Sequence, residues 1–235
     1  MWKILRTLWY NVRVTRETRN ILAYAAPFAT WIALQTVLPA TALAYALRSL
    51  AALAAFIPFL RLGTPRPAGS RLPLQIAVGV AAGAAVCALW IAPEASAFYR
   101  TWLCWPFGSP PPAADAPSPY APDVCGWGLT TAKIVGSAFV IAPAEELFFR
   151  SFLYRWLQRR DFLSVPLSRF DLQAFLWTVL LFTLEHDRPV VAAACGAAYG
   201  LLAIRLGIAS AVAAHVTTNL LLAIYVVLRG EWAFW

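Results

Sequence analysis

Charged side chains are scarce in this chain. Asp, Glu, Lys and Arg make up 13% of its 235 residues, against about 25% in soluble domains, and hydrophobic residues reach 61%, which excludes an ordinary soluble domain. The four cysteines form no CxxC pair and no Cys/His pattern of the zinc-binding kind, so neither a metal cluster nor a disulfide scaffold is indicated. The sequence also lacks an HExxH motif and internal repeats.

The net charge of +8 comes from Lys and Arg clusters that lie between apolar stretches. This is the pattern of cytoplasmic loops in membrane proteins, so we expect the N-terminus in the cytoplasm and no nucleic-acid partner. Residues 1–20 are predicted to form a basic amphipathic segment on the inner leaflet. A signal peptide is the alternative, although no small-residue cleavage pattern follows.

Apolar stretches of about the twenty-residue length that crosses some 30 Å of hydrocarbon recur along the rest of the chain. They predict an all-α polytopic membrane helical bundle of about seven to eight transmembrane helices, in a single membrane domain at residues 21–235. Gly79 and Gly83 are predicted to permit close helix approach. Arg48 lies inside the second apolar stretch. It is expected either to have a function or to be structural, with its charged end reaching toward the membrane surface or paired with a carboxylate.

A proline-rich loop at residues 94–127 is expected on the exported side, because proline removes hydrogen-bond donors and fixes φ. Cys104 and Cys125 lie in this loop. In an oxidising periplasm they either form a disulfide or remain two unpaired cysteines, and the sequence favours neither.

One apolar stretch carries two adjacent carboxylates, Glu145 and Glu146, followed by Arg150. Carboxylates exposed to lipid at this depth are costly, so we expect them to face the bundle interior or a wet cavity. The helix should kink or restart near Pro143 and leave the membrane as a basic extension. The predicted catalytic core is residues 129–228.

The two histidines of the chain, His186 and His215, both belong to apolar stretches. His215 and Asn219 are four residues apart and share a helical face. A carboxylate and an imidazole can together deprotonate a water, while a second imidazole and an amide can donate hydrogen bonds to an oxyanion. This is the inventory of a peptide hydrolase. Each residue alone also has a structural interpretation, such as an ion-paired helix end or a hydrogen bond between helices.

Three motifs carry a resemblance to a known family. E-E-L-F-F-R at 145–150 resembles the EExxxR motif of the CPBP family of CAAX proteases and bacteriocin-processing enzymes, Phe182–His186 matches its FxxxH motif, and His215–Asn219 its HxxxN motif. The stretch from about Gln173 to Trp235 more narrowly resembles the CAAX-protease-related proteins of bacterial exosortase systems. The resemblance covers the chain well from Lys133 onward and the N-terminal half only in hydropathy.

The resemblance implies an intramembrane endopeptidase. Glu145 and His186 resemble the pair that activates water, and His215 with Asn219 resembles the oxyanion site. No cofactor is expected, since metal-independent catalysis is favoured over a zinc-type mechanism. A zinc ion would have to draw on ligands from the glutamate pair and the two histidines.

Supporting residues follow from the same resemblance. Glu146 and Arg150 resemble residues that fix the first glutamate, and Phe182 would pack the cavity wall. The partners implied are the lipid bilayer, a membrane-anchored protein or peptide substrate, and components of an exosortase system. The implied location is the bacterial inner membrane, with multiple spans. Two other function classes stay open, a non-catalytic scaffold or chaperone of protein sorting and a proton-coupled transporter.

Overall fold

A computed structural model describes residues 16–61, 71–103 and 118–235. The helices are α1 Arg16–Val37, α2 Ala42–Ala54, α3 Ile57–Arg61, α4 Leu72–Ile91, α5 Ala97–Trp102, α6 Pro122–Gln158, α7 Leu172–Leu184, α8 Pro189–Arg205 and α9 Ile208–Arg229. Within these ranges there is no strand, so the predicted all-α class is confirmed. Most of the predicted N-terminal amphipathic segment lies outside the described residues, as does Cys104, so the choice between a disulfide with Cys125 and two unpaired cysteines stays open.

In the part of the chain that the structure describes, four helical segments are long and apolar enough to cross a membrane: Ala42–Leu60, Leu72–Ala95, Pro122–Gln158 and Ile208–Arg229. Helix α1 and the shorter apolar helices α7 and α8 correspond to the other apolar stretches of the sequence. On α7 the exposed large side chains lie three, four or one residue apart and form one stripe: Leu172, Leu176, Trp177, Leu180, Leu181 and Leu184. Such a stripe faces lipid in a bundle of this composition, and the chain is a membrane protein.

Helices α4 and α9 pack backbone against backbone. A Cβ atom on Gly83 would lie 2.3 Å from the carbonyl oxygen of Ala214, and one on Gly79 would lie 2.5 Å from that of Ser210. The hydroxyl of Thr218 donates a hydrogen bond to the Gly83 carbonyl at 2.9 Å. The close approach predicted from the small residues of this stretch is therefore confirmed.

The long helix α6, which is expected from the sequence to kink or restart near Pro143, does not restart there. Its winding changes instead, because the turns at Ser137–Ile141 and Leu147–Leu153 are π-helical and flank the proline. Proline has no N–H to return to the preceding turn, and a wider turn can absorb that missing bond without ending the helix. The non-helical residue of α6 is Gly126, with φ 80°.

Helix α7 ends inside the bundle. Its 13 residues correspond to about 20 Å, which is less than the roughly 30 Å of a hydrocarbon core. The backbone from Glu185 to Arg188 is therefore expected within the thickness of the membrane, before α8 begins at Pro189. Non-helical backbone is tolerated at such a depth where protein or a cavity surrounds it.

Candidate active site

A cavity of about 400 Å³ lies between helices α1, α2, α4, α6, α7, α8 and α9. Its lining includes Glu145, His186, His215 and Asn219, the four residues that the sequence predicts as catalytic, together with Phe182. Glu145 comes from the segment between the two π-helical turns of α6, His186 from the link after α7, and the other two from α9. Three separate elements thus bring these side chains to one space.

The Glu145 carboxylate lies close to both histidines of the site. The residue is 8% exposed, and its Oε2 atom has no hydrogen-bond partner among the described residues. His215 Nε2 lies 3.7 Å from that oxygen. Glu145, Glu185 and His186 each offer one ligand-type atom, and these three atoms lie within 4.8 Å of one another. A buried carboxylate without a hydrogen bond on one oxygen is available to a water or a substrate group.

His186 is oriented by the backbone at the end of α7. Its Nδ1 atom lies 2.8 Å from the carbonyl oxygen of Phe182. A carbonyl oxygen only accepts, so Nδ1 carries the proton in this contact and Nε2 keeps its lone pair. The ring packs against Phe182 at 4.4 Å and Trp90 at 5.7 Å between centroids.

Glu146 and Arg150 hold His215. Glu146 Oε1 accepts from Arg150 Nη1 at 3.0 Å and lies 2.9 Å from His215 Nδ1. Arg150 Nη2 also donates to the carbonyl of Gly196 on α8 at 3.1 Å. The resemblance implies that this pair fixes Glu145, but its hydrogen bonds within the described chain run to His215 and α8. The i, i+4 spacing of the pair brings the two charges together on one face of α6.

Asn219 and Tyr199 complete the wall around His215. Asn219 Nδ2 donates to the carbonyl of Ser137, in the first π-helical turn, at 3.1 Å. The His215 ring stacks on Tyr199 with 4.6 Å between centroids, and the Tyr199 hydroxyl donates to Thr218 at 2.8 Å. An amide nitrogen has two hydrogens, so one of them remains for another acceptor.

Residues 127–221 match the family model "Type II CAAX prenyl endopeptidase Rce1-like". The match spans roughly two fifths of the chain and contains all three motifs. It supports the resemblance to CAAX proteases within that region. No curated protein and no solved structure matches the chain.

Glu185, which precedes His186, is part of the same cluster and was not among the predicted site residues. A carboxylate at the end of an apolar helix was the available signal, because such residues are rare in membrane segments without a function.

Both structural environments that the sequence predicts for Arg48, a snorkelling position and an ion pair with a carboxylate, are wrong. Arg48 is 5% exposed, so it does not snorkel, and it has no ion pair among the described residues. Its guanidinium instead lies 4.8 Å from the Trp31 ring centroid.

Proposed function

We propose that this chain is an intramembrane endopeptidase that hydrolyses a peptide bond of a membrane-delivered protein or peptide. The observation that carries the proposal is the approach of Glu145 and His186, whose carboxylate oxygen and ring nitrogen lie within 4.8 Å at the wall of the cavity. One water can hydrogen-bond to both atoms across such a gap, at about 2.8 Å to each. Because the two residues are far apart in the sequence, only the folded chain brings them together.

In the proposed reaction, Glu145 and the Nε2 lone pair of His186 orient the water, and Glu145 takes its proton as the oxygen attacks the peptide carbonyl. The carbonyl oxygen becomes an oxyanion. Asn219, through its second amide hydrogen, and His215 Nε2–H, when that ring carries both protons, donate to it. The proton held by Glu145 then passes to the leaving amine as the C–N bond breaks. Glu146 provides the counter-charge for His215.

We propose that no metal is needed. The group that could hold one within the described chain is Glu145, Glu185 and His186. A divalent ion bound there would act as a Lewis acid on the peptide carbonyl and lower the pKa of its water. Of the other zinc ligands considered from the sequence, Glu146 has one carboxylate oxygen already engaged by Arg150 and His215. This contact favours a structural use of Glu146.

The substrate proposed is a sorting-signal protein or a precursor peptide anchored in the membrane. A location in the bacterial inner membrane with a cytoplasmic N-terminus, and a partnership with exosortase-system components, belong to the same proposal. They rest on the positions of the basic clusters and on the resemblance of the C-terminal quarter of the chain, from about Gln173 to Trp235.

The test compares the purified protein with its Glu145→Gln variant in detergent, on a pool of membrane-anchored sorting-signal peptides, with products identified by mass spectrometry. Glu17→Gln, at an exposed position of α1, is the matched control. We expect cleavage by the unsubstituted protein and the control, with a loss of at least 10² in the Glu145 variant. Cleavage should survive a chelator. Absence of cleavage with all three proteins folded would reject the peptidase, and loss with the chelator would reject the metal-independent route.

A further inference from the structure

A second group of polar side chains lines the same cavity but has no part in the proposed reaction. Arg48 of α2 and Lys133 of α6 both line it. Arg48 is 5% exposed and Lys133 is partly buried. We call these two residues the cationic end of the cavity, and the lining residues Glu145, His186 and His215 the acidic end.

Aromatic rings surround the cationic end. Lys133 Nζ lies 3.9 Å from the ring centroid of Tyr45 and 4.8 Å from that of Tyr120. The Arg48 guanidinium lies 4.8 Å from the Trp31 centroid and 5.5 Å from that of Tyr45. The negative faces of these rings attract a cation and hold its charged group in one position.

No carboxylate compensates these two charges within the described residues. None of the ion pairs there includes Arg48 or Lys133, and the buried Arg48 Nε has no hydrogen-bond partner. A buried cation beside a partly buried one is unfavourable unless an anion pairs with them, and ring faces replace only part of that pairing. A planar guanidinium beside an ammonium matches a carboxylate, which can accept from both.

We propose that Arg48 and Lys133 form a subsite that binds a carboxylate of the peptide substrate. The inference rests on the proposed peptidase function and adds a chemical requirement to it. The group bound is either a free C-terminal carboxylate or an Asp or Glu side chain. In both cases the peptide lies along the cavity from the cationic end to Glu145.

The length of α6 sets how far this carboxylate lies from the cut. Lys133 and Glu145 are twelve residues apart, which is about 18 Å at 1.5 Å per residue. An extended peptide covers about 3.4 Å per residue, so roughly five residues bridge that length. Because both side chains reach into one cavity, the cut is expected roughly three to five residues from the carboxylate.

A binding experiment tests the subsite without cleavage. The full chain carrying Glu145→Gln, in neutral detergent, is titrated into fluorescent, N-palmitoylated apolar heptapeptides. These have a free C-terminal carboxylate, a C-terminal carboxamide, or a carboxamide with one Asp. We expect an acidic form to bind about 10- to 100-fold more tightly than the neutral form, the range of hydrogen bonds to charged groups. The tighter acidic form identifies the source of the carboxylate.

Matched variants connect that preference to the two residues. Arg48→Gln and Lys133→Gln should each remove most of the preference and leave binding of the neutral peptide unchanged, which also shows that the variants are folded. Arg205→Gln, exposed on α8, should change nothing. Equal binding of all three peptides would overturn the subsite, as would equal losses for neutral and acidic peptides. A site occupied by added phosphatidylglycerol, with no preference among the peptides, would overturn it in favour of a lipid headgroup.

The two proposals can fail separately. A carboxylate preference that depends on Arg48 and Lys133, in a protein that cleaves no peptide, would keep the subsite and reject the peptidase. Cleavage by the unsubstituted protein without any such preference would keep the peptidase and reject the subsite. If either variant fails to fold, the comparison of the three peptides on the unsubstituted cationic end still decides the question.

Discussion

The two ends of the cavity are constructed differently. At the acidic end, the Phe182 carbonyl accepts a hydrogen bond from His186, and Glu146, itself held by Arg150, contacts His215, so both histidines are fixed by partners within the protein. At the cationic end, Arg48 and Lys133 lie against aromatic faces and lack a carboxylate among the described residues. The difference separates a preorganised reaction centre from a binding surface that receives its counter-charge from a ligand.

The largest effect is expected where the acidic end is held together. Arg150→Ala should lower the free energy of unfolding by about 3–5 kcal/mol, because it leaves the fully buried Glu146 without its cation. Chemical unfolding in detergent measures this change, with the exposed Arg205→Ala as control. A midpoint equal to that of the control would mean that the ion pair does not support the acidic end.

The next largest effect is expected on the reaction at the acidic end, without an effect on binding. Asn219→Ala should slow turnover by about 10²–10³ and change KM little, because an oxyanion donor acts in the transition state. Steady-state kinetics on a cleaved peptide measures the two parameters. Asn20→Ala, outside the cavity lining, should retain the full rate. An unaffected rate in the Asn219 variant would remove this residue from the mechanism.

A smaller effect is expected in the helix pair that supports His215. Gly83→Ala should cost about 1–3 kcal/mol in unfolding free energy, since its Cβ would lie 2.3 Å from a backbone oxygen of α9. Gly128→Ala, whose Cβ would meet nothing within 4 Å, is the matched control. Equal stability of the two variants would contradict the close approach of α4 and α9.

The smallest effect concerns the cationic end. Tyr120→Leu removes a ring face 4.8 Å from Lys133 Nζ and should lower the unfolding free energy by about 0.5–1 kcal/mol, as expected for one cation–π contact of a partly exposed ammonium group. Tyr120→Phe keeps the ring and should be close to the unsubstituted protein. If both substitutions cost the same, the hydroxyl rather than the ring face is the stabilising group.

The sequence predicts those features that depend on local spacing. Hydropathy places the apolar helices, and the i, i+4 spacing pairs Glu146 with Arg150. Small residues predict the contact of α4 with α9. These features depend on patterns within one stretch, and they can be derived without knowing which helices are neighbours.

Contacts between distant segments could not be derived in this way. Glu146 meets His215 from 69 residues away, and Arg48 approaches Trp31 from a different helix. Neither contact produces a periodic pattern within one stretch of the sequence. Glu185 was not predicted because the neighbouring His186 was taken as the functional residue of that position. The cationic end was not predicted because its two residues belong to different apolar stretches.

The π-helical turn at Ser137–Ile141 has a consequence for the angular phase of α6. In an α-helix of 3.6 residues per turn, Lys133 and Glu145 would point about 120° apart, because twelve residues are three turns and a third. A π turn rotates less per residue and absorbs one residue, so the two behave as if eleven apart, which corresponds to about 20°. A helical wheel drawn through α6 therefore assigns one of the two ends to the wrong side. The extra residue in this turn is what lets a single helix present opposite charges to one cavity.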